Sequence, residues 1–113
     1  MAVADKPGPA VLDELFAVIE DRRGGDPARS YVAQTLAGDT PRVARKLGEE
    51  AIETVVAALA GGREELTRES ADLLFHLLML WADAGVTPGE VFAELARRRG
   101  VSGLAEKAAR ATE

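Results

Sequence analysis

Two long segments with helical periodicity, 41–60 and 63–84, are separated only by Gly61 and Gly62. In both segments the apolar residues lie nearly all round the helical wheel, so each helix must be buried on more than one side. A connection this short folds the two helices back on each other as an antiparallel hairpin. This hairpin most constrains the fold, because every other segment has to pack against it.

The rest of the chain is also helical in pattern, and no segment alternates with the period of a strand. We predict further helices over 11–23, 27–37 and 88–99, with Asp26 and Thr87 as N-caps of the last two. The sequence therefore predicts an all-α fold. We expect a helical bundle of four to five helices with a central antiparallel hairpin.

The length of the chain fits one domain, residues 1–113, with loosely ordered tails at 1–10 and 101–113. A monomer of this length has too few other helices to cover two helices that are apolar on all sides. We therefore expect a second copy to complete the bundle as a two-fold homodimer.

The charge and composition exclude several classes of function. The formal net charge is −5, whereas nucleic-acid binding favours a basic surface. The chain has no cysteine, residues 1–10 lack the plan of a signal peptide, and the longest nearly apolar run, 73–82, is about half a membrane span. We expect no nucleic-acid partner, no membrane association and a cytoplasmic location.

Acidic residues recur at matched positions on the two helices of the hairpin. Glu50 and Glu53 are three residues apart and share one helix face, as do Glu69 and Asp72. Glu53 and Glu69 each lie eight positions from Gly61. Glu50 and Asp72 each lie eleven positions from it. All four carboxylates are therefore expected within about one helical turn (~5 Å) along the axis.

Four carboxylates this close repel one another unless they take up protons or bind a cation. Oxygen ligands without cysteine favour Mg²⁺, with Mn²⁺ as a substitute. Acidic pairs are common on exposed helices, where they are simply solvated. The match of two pairs across the predicted turn favours a metal site over solvated pairs.

The next matched level holds Lys46 and His76, each fifteen positions from Gly61. Lys46 is interpreted either as a phosphate contact beside the metal or as the partner of an ion pair with Glu50. His76, the single histidine, either binds substrate or is a hydrogen-bonded core residue. The pattern leaves both alternatives open.

The residues 49-EEAIE-53 and 69-ESAD-72 resemble the EExxE…ExxD pattern of all-α nucleoside triphosphate pyrophosphohydrolases of the MazG type. Further segments narrow the resemblance to the phosphoribosyl-ATP pyrophosphohydrolase family, over roughly residues 11 to 110. These segments are 19-IEDRR-23, 30-SYVAQTL-36, 46-KLGEEAIETVVAA-58, 64-EELTRESADLLFHLLML-80 and 99-RGVSGLAEKAAR-110.

The resemblance implies hydrolysis of the α–β phosphoanhydride of phosphoribosyl-ATP to phosphoribosyl-AMP and pyrophosphate, the second step of histidine biosynthesis. It also implies Mg²⁺, a homodimer and a cytoplasmic enzyme. Water would attack directly, activated by the metal, and a carboxylate would take its proton. Because the chain lacks a Cys/His zinc set, we expect the stand-alone hydrolase and not a fusion with the cyclohydrolase of the next step.

The resemblance assigns a role to each matching residue. The implied metal ligands are Glu50, Glu53, Glu69 and Asp72. The implied catalytic residues are Glu49, Glu50 and Glu53, with Glu49 either a further ligand or a group that polarises the attacking water. The implied substrate contacts are Lys46, Arg22, Arg23, Ser30, Tyr31 and His76.

Three alternatives remain. A sister enzyme with the same chemistry would act on a (d)NTP in a house-cleaning role. A di-iron carboxylate bundle would need two Glu-x-x-His motifs, and the chain has one histidine. A non-enzymatic helical interaction module would carry the acidic residues as a solvated stripe.

Overall fold

The computed structural model describes residues 6–111, and within that range every regular element is an α-helix. The all-α prediction is confirmed. Six helices lie in the described range: α1 (Ala10–Arg22), α2 (Tyr31–Leu36), α3 (Thr40–Ala60), α4 (Arg63–Ala84), α5 (Pro88–Arg98) and α6 (Gly103–Ala111). None of these helices is both long and apolar enough to span a membrane.

Helices α3 and α4 are joined by a two-residue glycine connection and pack along each other. The Thr54 hydroxyl donates to the backbone oxygen of Glu69 at 3.1 Å. The Thr40 hydroxyl donates to Asp83 Oδ2 at 2.8 Å, near the other end of the pair. In both bonds the α4 residue is one position farther from Gly61 than its α3 partner. The helices therefore run antiparallel with residues at nearly equal distance from the turn facing each other.

Helix α4 lies at the centre of the described fold, because α1, α2 and α3 all pack against it. Its apolar residues meet those of α1 and α2 in a buried core. The buried members are Ile19, Val32, Leu78, Met79 and Ala82. Partly buried side chains surround them, namely Leu12, Leu15, Phe16, Leu36, Phe75 and Trp81.

One face of α3 is left uncovered by the rest of the chain. Ile52, Val55 and Val56 are 67, 57 and 54% exposed, and Leu59 is 83% exposed. These four residues form what we call the open face of α3. A contiguous exposed apolar surface of this kind is uncommon on a monomer and is typical of an interaction surface.

The predicted start of the second helix was wrong. Asp26 accepts a hydrogen bond from the amide of Ala28 at 2.9 Å and thus stabilises a turn instead of capping a helix. Ser30 is the N-cap: it has extended backbone angles, and its hydroxyl accepts from the amide of Ala33 at 3.1 Å. Serine and aspartate are both residue types that cap helices, and periodicity over so few residues does not choose between Asp26 and Ser30.

The ends of α4 and α5 follow the sequence signals closely. Gly85 ends α4 with a φ of 76°, in the left-handed region that favours glycine. Thr87 then caps α5 as predicted, and its side chain accepts from the amide of Glu90 at 3.2 Å. The Glu90 carboxylate accepts in return from the Thr87 amide at 3.0 Å, which completes a capping box.

The sequence indicated a loosely ordered and partly helical tail over 101–113, and the structure describes the helix α6 there, over Gly103–Ala111. The Ser102 hydroxyl accepts from the amide of Ala105 at 3.0 Å and caps the helix. Glu106 is 8% exposed and accepts a hydrogen bond from Arg97 of α5 at 2.7 Å. This ion pair across two helices holds α6 in place. The outer parts of the expected tails, 1–5 and 112–113, lie outside the described residues.

Candidate active site

Three carboxylates from the two central helices converge at one point. Glu50 is contributed by α3, and Glu69 and Asp72 by α4. One oxygen from each of the three lies within 4.8 Å of the others. Glu50 and Glu69 are half-buried, whereas Asp72 is exposed, so the group opens to solvent on one side. We call this group the acidic triad.

Two oxygens of the acidic triad are buried and have no hydrogen-bond partner among the described residues. They are Oε2 of Glu50 and Oε1 of Glu69. A buried carboxylate oxygen without a donor is unfavourable, because it has lost water and gained nothing in exchange. These two oxygens have no hydrogen-bond donor among the described residues, and a bound cation would compensate their negative charge.

The electrostatics of the acidic triad agree with this geometry. Burial raises the pKa of the Glu50 carboxyl above its usual value, and the nearby Glu53 carboxylate raises it further. Burial likewise raises the pKa of Glu69, with further contributions from Glu53 and then Asp72. Each carboxyl is thus made harder to ionise by its surroundings, as expected for anions that no cation compensates.

Thr54 connects the two helices directly behind the acidic triad, and the sequence analysis did not identify it. Its hydroxyl lies 2.8 Å from the backbone oxygen of Glu50 and 3.1 Å from that of Glu69. A hydroxyl has one hydrogen, which these two acceptors share. The residue thereby fixes the backbone of two members of the triad relative to each other. The sequence signal that could have identified it is a threonine four residues after Glu50, close to the level of Glu69 in the hairpin. In the structure this threonine is half-buried.

The other two predicted acidic residues lie outside the acidic triad. Glu53 is exposed, although its charge is the leading electrostatic influence on both Glu50 and Glu69. The Glu49 side chain is 53% exposed and lies 3.9 Å from Arg45 on the outer surface of α3. The structure therefore brings Glu53 to the edge of the triad and leaves Glu49 farther out.

Lys46 lies on α3 one turn before Glu50 and is half-buried. It forms no ion pair within 4.0 Å with any residue of the described range, so the ion pair with Glu50 that was one of the two interpretations is not formed. Contact of Lys46 with a phosphate, the other interpretation, stays a prediction.

His76 and Tyr31 form a hydrogen-bonded chain that leads to Asp72. His76 Nδ1 lies 2.8 Å from the backbone oxygen of Asp72, and its Nε2 lies 2.8 Å from the Tyr31 hydroxyl. A carbonyl oxygen can only accept, so Nδ1 carries a hydrogen and donates it to Asp72, while Nε2 is hydrogen-bonded to the Tyr31 hydroxyl. His76 is only 5% exposed. It is a hydrogen-bonded core residue that positions Tyr31 beside the acidic triad.

Two predicted substrate contacts lie at the far end of α1, and a third is engaged in capping a helix. Arg23 donates to the backbone oxygen of Ala82 at 2.6 Å, and thereby fastens the end of α1 to α4. Ala82 is ten residues beyond Asp72, which corresponds to about 15 Å along the helix. Arg22 is exposed at the same end of α1. Ser30 is occupied as the N-cap of α2. Substrate contact by these residues stays a prediction.

Comparison with known proteins identifies the family. Residues 12–99 match the family model described as phosphoribosyl-ATP pyrophosphohydrolase. The chain belongs to this family. The resemblance that the acidic motifs indicated is thereby confirmed, and the acidic triad, Lys46 and the Tyr31–His76 pair all lie inside the matched residues.

Bacterial relatives named phosphoribosyl-ATP pyrophosphatase are similar to almost the whole chain. The protein of Rhizorhabdus wittichii is 60% identical over 99 residues, which are 88% of this chain and 93% of the relative. The protein of Paramagnetospirillum magneticum is 57% identical over 101 residues, 89% of this chain and 93% of the relative. That of Rhodospirillum rubrum is 54% identical over 109 residues, 96% of this chain and 93% of the relative.

The part of the chain that matches the phosphoribosyl-ATP pyrophosphohydrolase family begins within α1 and ends just after α5. It therefore includes the helix pair and the elements that pack on it. Helix α6 lies beyond the family match, although the relative from Rhodospirillum rubrum is similar over most of the chain.

Proposed function

We propose that this chain hydrolyses phosphoribosyl-ATP to phosphoribosyl-AMP and pyrophosphate, the second step of histidine biosynthesis. The observation that supports this function most strongly is the acidic triad. Two of its oxygens are buried without a hydrogen-bond partner among the described residues, and the triad lies within the residues that match the family. The names of the relatives support this substrate.

The residues of the triad fit a divalent cation, and Mg²⁺ is the ion that we propose. The donors are carboxylate oxygens, which hard cations such as Mg²⁺ prefer, and Mn²⁺ would substitute for it. Glu50, Glu69 and Asp72 would hold the ion, and Glu53 would complete the set at the edge. When bound, the ion supplies positive charge that compensates the phosphate oxygens and lowers the pKa of water at the site.

The side chains around the triad suit the remaining tasks. Lys46 has no competing ion pair among the described residues and would bind a phosphate oxygen of the substrate as a point charge. A carboxylate of this acidic group would accept the proton of the attacking water. Glu49, farther out, would be a further ligand or would polarise the attacking water. Arg22, Arg23 and Ser30 would contribute only if the substrate extends well beyond the triad.

The open face of α3 supports a homodimer. Its four apolar residues, Ile52, Val55, Val56 and Leu59, are all more than half exposed in the single chain. A second copy that packs the same face in a two-fold arrangement would remove them from water. We propose this dimer as the working form of the enzyme. A cytoplasmic location is proposed as well, since a chain without cysteine suits a reducing compartment.

The decisive test is turnover of phosphoribosyl-ATP beside a panel of dNTPs, with and without Mg²⁺. We expect Mg²⁺-dependent release of pyrophosphate from phosphoribosyl-ATP, and a reduction by about 100-fold or more in Glu50→Gln, because that variant loses one charged ligand of the ion. Glu64→Gln is the matched control, since Glu64 is exposed in the first turn of α4, and it should keep parental activity.

Two outcomes would contradict the proposal. Preference for a dNTP would indicate a house-cleaning enzyme with the same site. Absence of Mg²⁺-dependent hydrolysis of any nucleotide would indicate a helical interaction module whose acidic residues are merely solvated.

A further inference from the structure

An aromatic ring lies half in solvent beside the acidic triad. Tyr31, the first residue of α2, is 47% exposed. Its orientation is nevertheless fixed at two places. The hydroxyl is bonded to His76 at 2.8 Å, and the ring is stacked on Phe75 with a centroid distance of 6.5 Å and an interplanar angle of 24°.

The hydrogen bond to His76 also limits what Tyr31 can recognise. The Tyr31 hydroxyl is already engaged within the protein, 2.8 Å from His76 Nε2. What the residue offers to a ligand is therefore the exposed part of a ring whose orientation is held by that bond and by stacking on Phe75. A flat, apolar ligand is the chemical class that such a surface binds.

The ring is close to the site proposed for the phosphates. His76 lies four residues, about one helical turn, after Asp72 on α4, which corresponds to about 6 Å along the axis. Only the His76 side chain separates Tyr31 from the Asp72 backbone. A nucleotide whose phosphates lie at the acidic triad would thus have its base within reach of this ring.

We propose that Tyr31 is the platform on which the purine base of the substrate stacks, with His76 as the positioning residue that fixes the ring. The inference rests on the proposed function for the place of the phosphates. Stacking of a base on an aromatic side chain contributes about 5- to 150-fold to affinity. The platform would therefore contribute to binding, while the carboxylates perform the chemistry.

The chain has a single tyrosine, so its ring gives one identifiable set of NMR signals. The full-length protein, labelled with ring-¹³C tyrosine and supplied with Mg²⁺, would be titrated with AMP and, separately, with ribose 5-phosphate. We expect an upfield shift of the Tyr31 ring protons with AMP, because they lie over the base, and no such shift with ribose 5-phosphate. Equal shifts with both compounds, or none with AMP, would overturn the proposal.

Two variants complete the experiment. Tyr31→Leu should weaken AMP binding about tenfold and raise KM for phosphoribosyl-ATP similarly, with kcat changed little, because the ring touches no reacting atom. Tyr31→Phe keeps the ring but loses the hydroxyl that His76 holds, so it should bind AMP more weakly than the parent and more tightly than Tyr31→Leu. Unchanged AMP affinity in Tyr31→Leu, with its helical circular dichroism intact, would refute the platform.

The proposed function and the proposed platform can be refuted independently of each other. The AMP titration requires no turnover, so a protein that shows the base-specific shift but hydrolyses no phosphoribosyl-ATP would keep the platform and lose the proposed function. A protein that hydrolyses phosphoribosyl-ATP but shows no base-specific shift of the Tyr31 signals would keep the proposed function and lose the platform.

Discussion

At the scale of single residues, the surroundings of Glu50 and Glu69 disfavour the ionised form of each carboxyl. Each has a buried oxygen without a partner among the described residues, and in each the pKa is raised, first by burial and then by Glu53. A carboxyl whose pKa is raised on folding stabilises the protein below its ordinary pKa. That contribution is lost as the pH rises through the raised value. At neutral pH the metal-free triad therefore opposes folding.

The substitution Glu69→Gln should raise the melting temperature of the metal-free protein at neutral pH by a few degrees, because it removes one of the mutually repelling charges. It should at the same time abolish the further stabilisation that Mg²⁺ gives to the parent. Thermal unfolding followed by circular dichroism, with and without Mg²⁺, measures both effects. The exposed Glu64→Gln should change neither, and a Glu69→Gln protein that melts below the parent without metal would count against this account.

The grouping of Glu50, Glu69 and Asp72 could be predicted from the sequence because helical geometry is regular. Residues three apart share one face of a helix, and residues equally far from Gly61 on the two helices lie at the same level. The contacts of Arg23 and Tyr31 could not be predicted in the same way. Both depend on how α1 and α2 pack on α4, and the side chains that they meet are distant in sequence.

At the scale of the helices, the register of α3 on α4 decides whether a site exists. Thr54 contributes to that register through one hydroxyl shared between two backbone oxygens. The pairing of α3 and α4 followed from the glycine connection and the apolar pattern. The start of α2 and the bounds of α6 did not follow in this way, because a short helix is determined by a cap and a few tertiary contacts more than by periodicity.

Thr54→Val should destabilise the protein by about 1 kcal/mol, since the shape of the side chain is kept and the hydrogen bond is lost. Turnover should also fall several-fold, because Glu50 and Glu69 are no longer held together. Urea unfolding and steady-state kinetics measure the two effects. Thr67→Val is the matched control: Thr67 is exposed and its hydroxyl bonds within α4, to the backbone oxygen of Arg63 at 2.7 Å. Equal effects of the two variants would argue against a special role for Thr54.

The contact between α5 and α6 should be sensitive to acid. Hydrogen bonds from Arg97, and then from Arg98, lower the pKa of Glu94 from 4.5 to about 2. The hydrogen bond from Arg97 likewise lowers the pKa of Glu106. Depressed carboxyl pKa values stabilise the folded form above the ordinary pKa, and this contribution is lost as the pH falls through the lowered value.

We therefore expect NMR signals of 103–111 to shift toward those of a disordered chain as the pH falls below 4.5, the ordinary pKa of Glu106, and before the signals of α4 change. Arg97→Gln should loosen α6 already at neutral pH, where hydrogen exchange of its amides should become faster while that of α4 is unchanged. If α6 and α4 lost structure together at every pH, the docking of α6 would not depend on these ion pairs.

At the scale of the whole molecule, the open face of α3 is the main surface that the single chain does not account for. The sequence predicted that α3 would be apolar on several sides, and it is. The sequence did not predict which side of α3 the other helices of the chain would cover. The pattern of apolar residues allows α1 and α2 to pack on either helix of the pair. In the structure they pack on α4.

Val55→Asp should convert the proposed dimer to a monomer, since a carboxylate in the centre of an apolar interface would be desolvated on association. Sedimentation velocity measures the outcome: the parent should sediment at about twice 12.0 kDa and the variant at 12.0 kDa. Leu104→Asp, on the exposed surface of α6, is the control and should remain dimeric. A parent chain that sediments as a monomer would show that the open face has another occupant.

The two-residue connection between α3 and α4 has a consequence for how this region can vary. One residue inserted within either helix, between the turn and the triad, would rotate the carboxylates beyond it by 100° and move them by about 1.5 Å. Their oxygens would then point away from the partner helix. The stretch from Glu50 to Asp72 can accept many replacements but should resist any change in its length, whereas insertions at the bend before α2 would leave the carboxylates where they are.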